Sequence, residues 1–233
     1  MRRTLLATVS VLALGIGAGF LVRRHRDRMR YRDEALGMPA SDAAELTRRF
    51  LLYFVLPVWL AAGVADWLCH RAEHIEETTG VKESLIHLLM LAEVSVPVVA
   101  GLFLEITSPV LGLMIASFLL HDATALWDVS YAMSRRRISP IEQHVHSYLE
   151  MMPLMAIAFL AVLHWSEVMG LAGLVQAPVS RAIRLKRRPL PGRYLAAVLS
   201  ASLLLELLPY IEELQRTLAY TRCRNGVHVS DRR

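Results

Sequence analysis

Cysteine is close to absent from this chain. Cys69 and Cys223 are the only two in 233 residues, on distant segments. That leaves no disulfide framework and no CxxC metal knuckle. Nucleotide signatures are missing too. There is no Walker loop, no Gly-Gly-Asp/Glu-Glu-Phe cyclase signature and no soluble catalytic domain. Gly15-x-Gly17-x-Gly19 follows no strand and lacks dinucleotide-fingerprint spacing, and small residues are ordinary where membrane helices touch. No nucleophile elbow or Ser-His-Asp arrangement accompanies Ser84 or Ser147. No repeat of fixed period is present.

What is abundant is apolar sequence. The chain is 55% hydrophobic, and the apolar residues come in blocks rather than short stripes: Leu5–Val22, Phe50–Ala65, Leu88–Leu104 (broken by Glu93), Val110–Leu120, Met151–Leu163 and Leu195–Leu205. A spanning helix needs about 20 mostly apolar residues, so several blocks span only if the polar residues at their ends are embedded as well. Helices satisfy their own backbone polar groups in lipid. The expected fold is therefore all-α: a polytopic membrane bundle of five to six transmembrane helices around a four-helix core.

The net charge of +5 comes from 26 Lys and Arg against 21 Asp and Glu. The basic residues cluster beside the apolar blocks, at Arg23–Arg32, Arg135–Arg137 and Arg181–Arg193. There they suit lipid headgroups and topology signals rather than nucleic acid. Residues 1–22 read as an uncleaved membrane anchor and 23–48 as a basic connector. Residues 49–165 read as the four-helix core, 166–193 as a second basic connector, 194–214 as a final membrane helix and 215–233 as a polar tail. Within the core, Gly80 suits a helix C-cap, Ser108-Pro109 opens a helix, and Ser139-Pro140-Ile141-Glu142 is a capping-box pattern. The setting suits a bacterial inner membrane. The basic connectors place the polar ends of the core outward; Arg135–Arg137 and the basic tail argue for the reverse.

Those polar ends carry the chemistry. Asp66-x3-His70-x3-His74, Glu83-x3-His87, His121-x6-Asp128 and Glu142-x3-His146-x3-Glu150 lie on four successive spans. Antiparallel neighbours bring all four to one membrane face. Residues four apart on a helix differ by about 40° around its axis, so each set shares one side. Ionisable groups at such depth must pair, line a cavity or bind something. Histidine with carboxylate and no thiolate suits iron, manganese or zinc.

The expected ligands are His70, His74, His87, His121, His146, Asp66, Glu83, Asp128 and Glu150. Glu142, His144, Asp122 and Glu77 are candidate supporting residues, and Arg71, Arg135, Arg136 and Arg137 candidate contacts for a lipid phosphate. Each has a bland alternative: Glu142 as the capping partner of Ser139, Asp128 paired with an arginine of 135–137, and Glu77 on a solvated helix end. His144 and His146 differ by about 200° and cannot share one seam. Glu93, Glu105 and Glu206 interrupt apolar runs without an assigned role.

Membrane desaturases and hydroxylases resemble this chain in gathering histidines at one membrane face, and His70-x3-His74 has a histidine-box spacing. The adjacent His-His pair of such boxes is absent, as is the Glu-x-x-His pair of ferritin-like bundles. The expected function is a membrane metalloprotein, foremost a di-iron oxidoreductase acting on a lipid or other apolar substrate with a redox donor. A zinc-dependent intramembrane hydrolase is the main alternative. A b-type cytochrome holding haem and an ion-handling or purely structural bundle come behind it.

Overall fold

The computed structural model describes residues 40–173 and 182–230. The expected anchor 1–22 and most of the connector 23–48 lie outside these residues. The chain divides into two units, 1–49 and 50–233. In the first, the described residues belong to helix α1 (Ala40–Phe50), where Arg49 Nε reaches Glu45 Oε1 at 2.8 Å.

The second unit is an all-helical bundle: α2 (Leu56–Ala72), α3 (Ile75–Thr78), α4 (Val81–Phe103), α5 (Ser108–Met133), α6 (Pro140–Leu163), α7 (Trp165–Leu171), α8 (Gly192–Ser202) and α9 (Leu208–Ser230). Among the described residues, five helical stretches are long and apolar enough to cross a membrane: Ser41–Ala72, Val81–Phe103, Ser108–Met133, Pro140–Leu163 and Gly192–Asn225. Leu85, Leu89, Val96 and Val99 form an exposed apolar stripe down α4, a surface that lipid covers and water would not. Among the described residues the only extended pairing is an isolated bridge between Leu104 and Leu185.

Proline punctuates the spans, and at Pro97 and Pro57 a side chain answers the missing N–H. Pro97 sits inside α4, which deprives the Glu93 carbonyl of its i+4 donor. The Ser117 hydroxyl of α5 donates to that carbonyl at 2.6 Å. Pro57 follows a single π turn, Leu51–Val55, in which bonds run to i+5. The carbonyl that Pro57 cannot serve is that of Leu52, and Tyr194 of α8 donates its hydroxyl there at 2.7 Å. A second π turn, Leu203–Leu207, precedes Pro209.

The two ends of the bundle differ. At one, Ala100, Val110 and Met114 pack with Leu104, Ile106 and Leu160. There Glu167 of α7 caps α5, accepting from the Ser108 N–H and hydroxyl at 2.7 Å each. The other end is polar and is described below. α4 packs chiefly on α5, α2 on α6, and α9 on α4, α3 and α2.

Ser117→Ala leaves the Glu93 carbonyl without a donor and lowers stability by about 1–2 kcal/mol. In a Pro97→Ala background the restored backbone N–H serves that carbonyl, so the same substitution has little further effect. A double-mutant cycle on denaturant midpoints in detergent measures the difference.

Candidate metal centre

α2 ends at Ala72, earlier than the run of polar residues implies, because His74 takes a left-handed conformation with φ 50°. Up to that point the one-turn spacing works as expected. Asp66 and His70 are both buried, with Asp66 Oδ2 3.5 Å from His70 Nε2. His74 no longer continues their stripe. Its side chain is 67% exposed and lies beside Glu76. Glu77 is exposed on the short helix α3.

α4 opens at Gly80, whose φ of 65° only glycine adopts freely. Its first two turns bury Glu83 and His87. The end of α5 supplies Asp128, buried, with Oδ2 3.4 Å from His87 Nε2. The start of α6 is the expected capping box: the Glu142 N–H donates to Ser139 Oγ at 3.2 Å and the Ser139 N–H to Glu142 Oε2 at 3.4 Å. Glu142 does more than cap. Its Oε1 lies 3.5 Å from His70 Nε2. One turn on, His146 Nε2 is 3.0 Å from Asp66 Oδ1.

Sequence reasoning missed the residue that joins these groups. Glu213 of α9 is fully buried and accepts from two imidazoles at once, His70 Nδ1 at 3.0 Å and His87 Nδ1 at 2.8 Å. The rings of His70 and His87 stack 4.3 Å apart and 5° from parallel. The expected end of the last span near 214 hid Glu213, since an acid pair closing an apolar run reads as an interface. The helix instead runs on to Ser230. A signal was there: Glu206, Tyr210, Glu213 and Thr217 repeat at i, i+4, i+7 and i+11, and all four are buried. Tyr210 donates to Asp66 Oδ2 at 3.1 Å. Glu206 packs where Gly63 has no Cβ; a methyl group there would overlap its carboxylate.

Arg136, expected to meet a lipid phosphate, turns inward instead. Its side chain is only 4% exposed and pairs with Glu83 at 2.8 Å and with Glu142. Two buried carboxylates outcompete a headgroup for a guanidinium that can fork. Burial opposes its charge, but the hydrogen bonds it donates to Glu142 and Glu83 outweigh that and hold its pKa above the usual arginine value. Arg71, Arg135 and Arg137 are exposed; Arg71 pairs with Glu212 at 2.9 Å and Arg135 lies over the Tyr131 ring.

His121 is buried but stands apart from the cluster. Seven residues separate it from Asp128, about 10 Å along the helix, farther than ligands of one ion sit. It lies 3.2 Å from the Met90 carbonyl and near Glu93, which accepts from Thr124 at 3.0 Å. His144 is exposed, edge-on to Tyr148. Asp122 and Glu150 are exposed within their spans.

Among the described residues, three groups of side chains bring ligand atoms within 4.8 Å of one another: Asp66 with His70 and His146, Glu83 with His87 and Asp128, and His70 with His87 and Glu213. No family model, curated protein or solved structure matches this chain. The chemistry of the cluster is therefore read from its own atoms. With Nδ1–H directed at Glu213, a neutral imidazole has only a lone pair on Nε2. The Nε2 atoms of His70 and His87 have no hydrogen-bond partner, and each faces carboxylate oxygen at 3.4–3.5 Å. Lone pairs repel across such a gap unless a second ring proton or a bound cation lies between them. Ligand atoms about 2.0–2.1 Å from one tetrahedral ion are about 3.3–3.4 Å apart. Charge points the same way. Asp66, Glu83, Asp128, Glu142 and Glu213 are buried against one guanidinium, that of Arg136. With neutral histidines four negative charges are left over, for ring protons or bound cations to balance.

Arg136→Leu sets Glu83 and Glu142 face to face without a counter-charge and lowers stability by about 3–5 kcal/mol. Arg136→Lys, with one point charge in place of the fork, recovers part of it. Thermal unfolding of the detergent-solubilised protein compares the three.

Proposed function

We propose that this integral membrane protein is a metalloprotein with a two-ion nitrogen and oxygen centre just beneath one membrane surface, acting as a di-iron oxidoreductase on a lipid or other apolar substrate. One observation carries the reading: a single carboxylate, Glu213, holds His70 and His87 by Nδ1 and turns both unpartnered Nε2 atoms toward the carboxylates of Asp66, Glu142 and Asp128. A carboxylate behind a ligating imidazole is the usual device for fixing its tautomer and orientation.

In this reading His70, His146 and Asp66 hold one ion, and His87, Asp128 and Glu83 hold the other. Glu142 and Arg136 close the centre from above. The absence of thiolate from the donor set favours iron, manganese or zinc over softer-ligand chemistry. A redox-active ion at such a site supplies electron transfer to or from substrate. The surrounding spans present apolar surface to lipid, which suits a substrate drawn from the bilayer. Haem fits poorly, because two imidazoles stacked face to face at 4.3 Å cannot approach opposite faces of one porphyrin. Ser84, buried beside the cluster, contacts Thr217 at 3.4 Å rather than a histidine, so a serine nucleophile finds no support.

Elemental analysis of detergent-purified protein tests the reading. Wild type is expected to carry about two transition-metal ions per chain. His70→Ala and His87→Ala each lose at least one, while Leu154→Ala, on the lipid side, keeps both. Glu213→Gln retains the shape and weakens metal affinity about 10–100-fold. Iron with redox-dependent spectra supports the oxidoreductase, a single zinc supports the hydrolase, and full occupancy in both histidine variants refutes the ligand assignment.

A further inference from the structure

The two ends of the bundle hold their arginines differently. At the polar end glutamates take them: Arg71 pairs with Glu212, Arg136 with Glu83 and Glu142, and Arg216 with Glu76. A guanidinium so engaged has few donors left for a headgroup. At the opposite end the chain forms a strap, residues 182–191, that lies against the end of α4 and leads into α8.

Main-chain bonds pin this strap. The Glu105 N–H donates to the Arg184 carbonyl and the Lys186 N–H to the Phe103 carbonyl, each at 2.9 Å, around the Leu104–Leu185 bridge. Thr107 Oγ1 donates to the Ala182 carbonyl at 3.3 Å, and Lys186 Nζ to the Gly101 carbonyl. One span ends at Phe103 and another begins at Gly192. The strap is therefore held at the level where hydrocarbon gives way to water.

It presents two kinds of side chain outward. Ile183 and Leu185 are 64% and 72% exposed; two residues apart in extended chain, they share a side. Arg184, Arg187, Arg188 and Arg193 are exposed as well. Arg187 lies 3.4 Å from Glu105, but its side chain stays 78% exposed, and such a pair is weak. Arg184, Arg188 and Arg193 have no ion pair among the described residues. A soluble acidic ligand would answer the arginines and leave Ile183 and Leu185 in water. An anionic bilayer surface answers both: apolar side chains enter the outermost acyl layer, guanidinium forks match phosphate oxygens, and attraction to an anionic leaflet adds up over a basic group of this size.

We propose that the strap is a binding surface for anionic phospholipids, with Ile183 and Leu185 seated among the outermost acyl carbons and Arg184, Arg187, Arg188 and Arg193 drawn to the phosphates. The surface lies at the other end of the bundle from the metal centre and does not depend on it. It is also a different place from Arg71 and Arg135–Arg137, where the sequence predicts headgroup contact.

Lipid retention tests the preference. Detergent-purified protein, stripped of lipid, is offered phosphatidylglycerol and phosphatidylcholine of the same chains in equal amounts, and the lipids kept are counted by mass spectrometry of the intact protein. Wild type is expected to keep phosphatidylglycerol at least about tenfold over phosphatidylcholine. Arg184→Gln/Arg187→Gln/Arg188→Gln/Arg193→Gln changes exposed side chains only, leaves the pinning main chain intact and loses most of that preference. Arg71→Gln/Arg135→Gln/Arg137→Gln, at the polar end, keeps it. Equal retention of the two lipids by wild type overturns the proposal, and so does a preference that the polar-end variant loses and the strap variant keeps.

Position is tested separately. In a Cys69→Ala/Cys223→Ala background, Leu185→Cys carries an environment-sensitive dye, and the protein is placed in vesicles of phosphatidylcholine and phosphatidylglycerol in equal parts, with bromine on the chains of one lipid or the other. Quenching by brominated phosphatidylglycerol is expected to exceed that by brominated phosphatidylcholine at least about twofold, and the strap substitutions even the two. A dye quenched by neither lipid lies outside the bilayer, in water or under an acidic protein partner, and overturns the proposal.

Discussion

The polar end of this bundle depends on one carboxylate shared by two imidazoles. Glu213 draws a proton donor from α2 and another from α4 onto its two oxygens. Bonds of that kind lie near the planes of carboxylate and ring, so the two rings come to lie parallel and stack. Their remaining nitrogens then face away from α9, toward acids contributed by α2, α5 and α6. Because Glu213 is itself fully buried, it gains nothing from water. Its charge is tolerable only through these donors and whatever positive charge they bring with them. Remove that carboxylate and the orientation of both rings is lost together.

The rest of the molecule is arranged around the cost of keeping so much charge dry. Hydrophobic packing is concentrated at the far end, where α4, α5 and α6 meet through small and aliphatic residues. Between the two ends, proline leaves backbone carbonyls open, and side chains from neighbouring helices fill them, as Ser117 and Tyr194 do. These bonds tie α4 to α5 and α8 to the π turn before α2 at fixed register. A glycine, Gly63, makes room for a further buried acid, Glu206, next to the cluster.

Much of this was legible in the sequence. Apolar blocks separated by capping signals identify the helices, and the alternation of polar ends brings Asp66, His70, Glu83, His87, Asp128, Glu142 and His146 to one level. What was not legible follows from physical causes. The His70-x3-His74 repeat fails because helix spacing holds only while the helix lasts, and the left-handed residue at His74 ends it. The His121-x6-Asp128 pair shares a side of α5 but not a depth. Arg136 turned inward because partners from two other helices outbid the headgroup, and nothing local to Arg135–Arg137 distinguishes the middle arginine. Glu213 is not legible because a run of polar residues after an apolar block ordinarily marks the end of a span. In this helix the polar residues face inward at heptad-like spacing while the helix continues.

Glu142 belongs to two structures at once, the first turn of α6 and the polar cluster. The point at which that helix starts and the rotation at which it enters the bundle are therefore set by the same side chain. Shortening or lengthening the segment between Met133 and Ser139 by one residue would oblige α6 either to abandon its cap or to swing its inward side by about 100°, carrying His146 away from Asp66. Evolution can vary the residues of such a turn far more readily than it can vary their number.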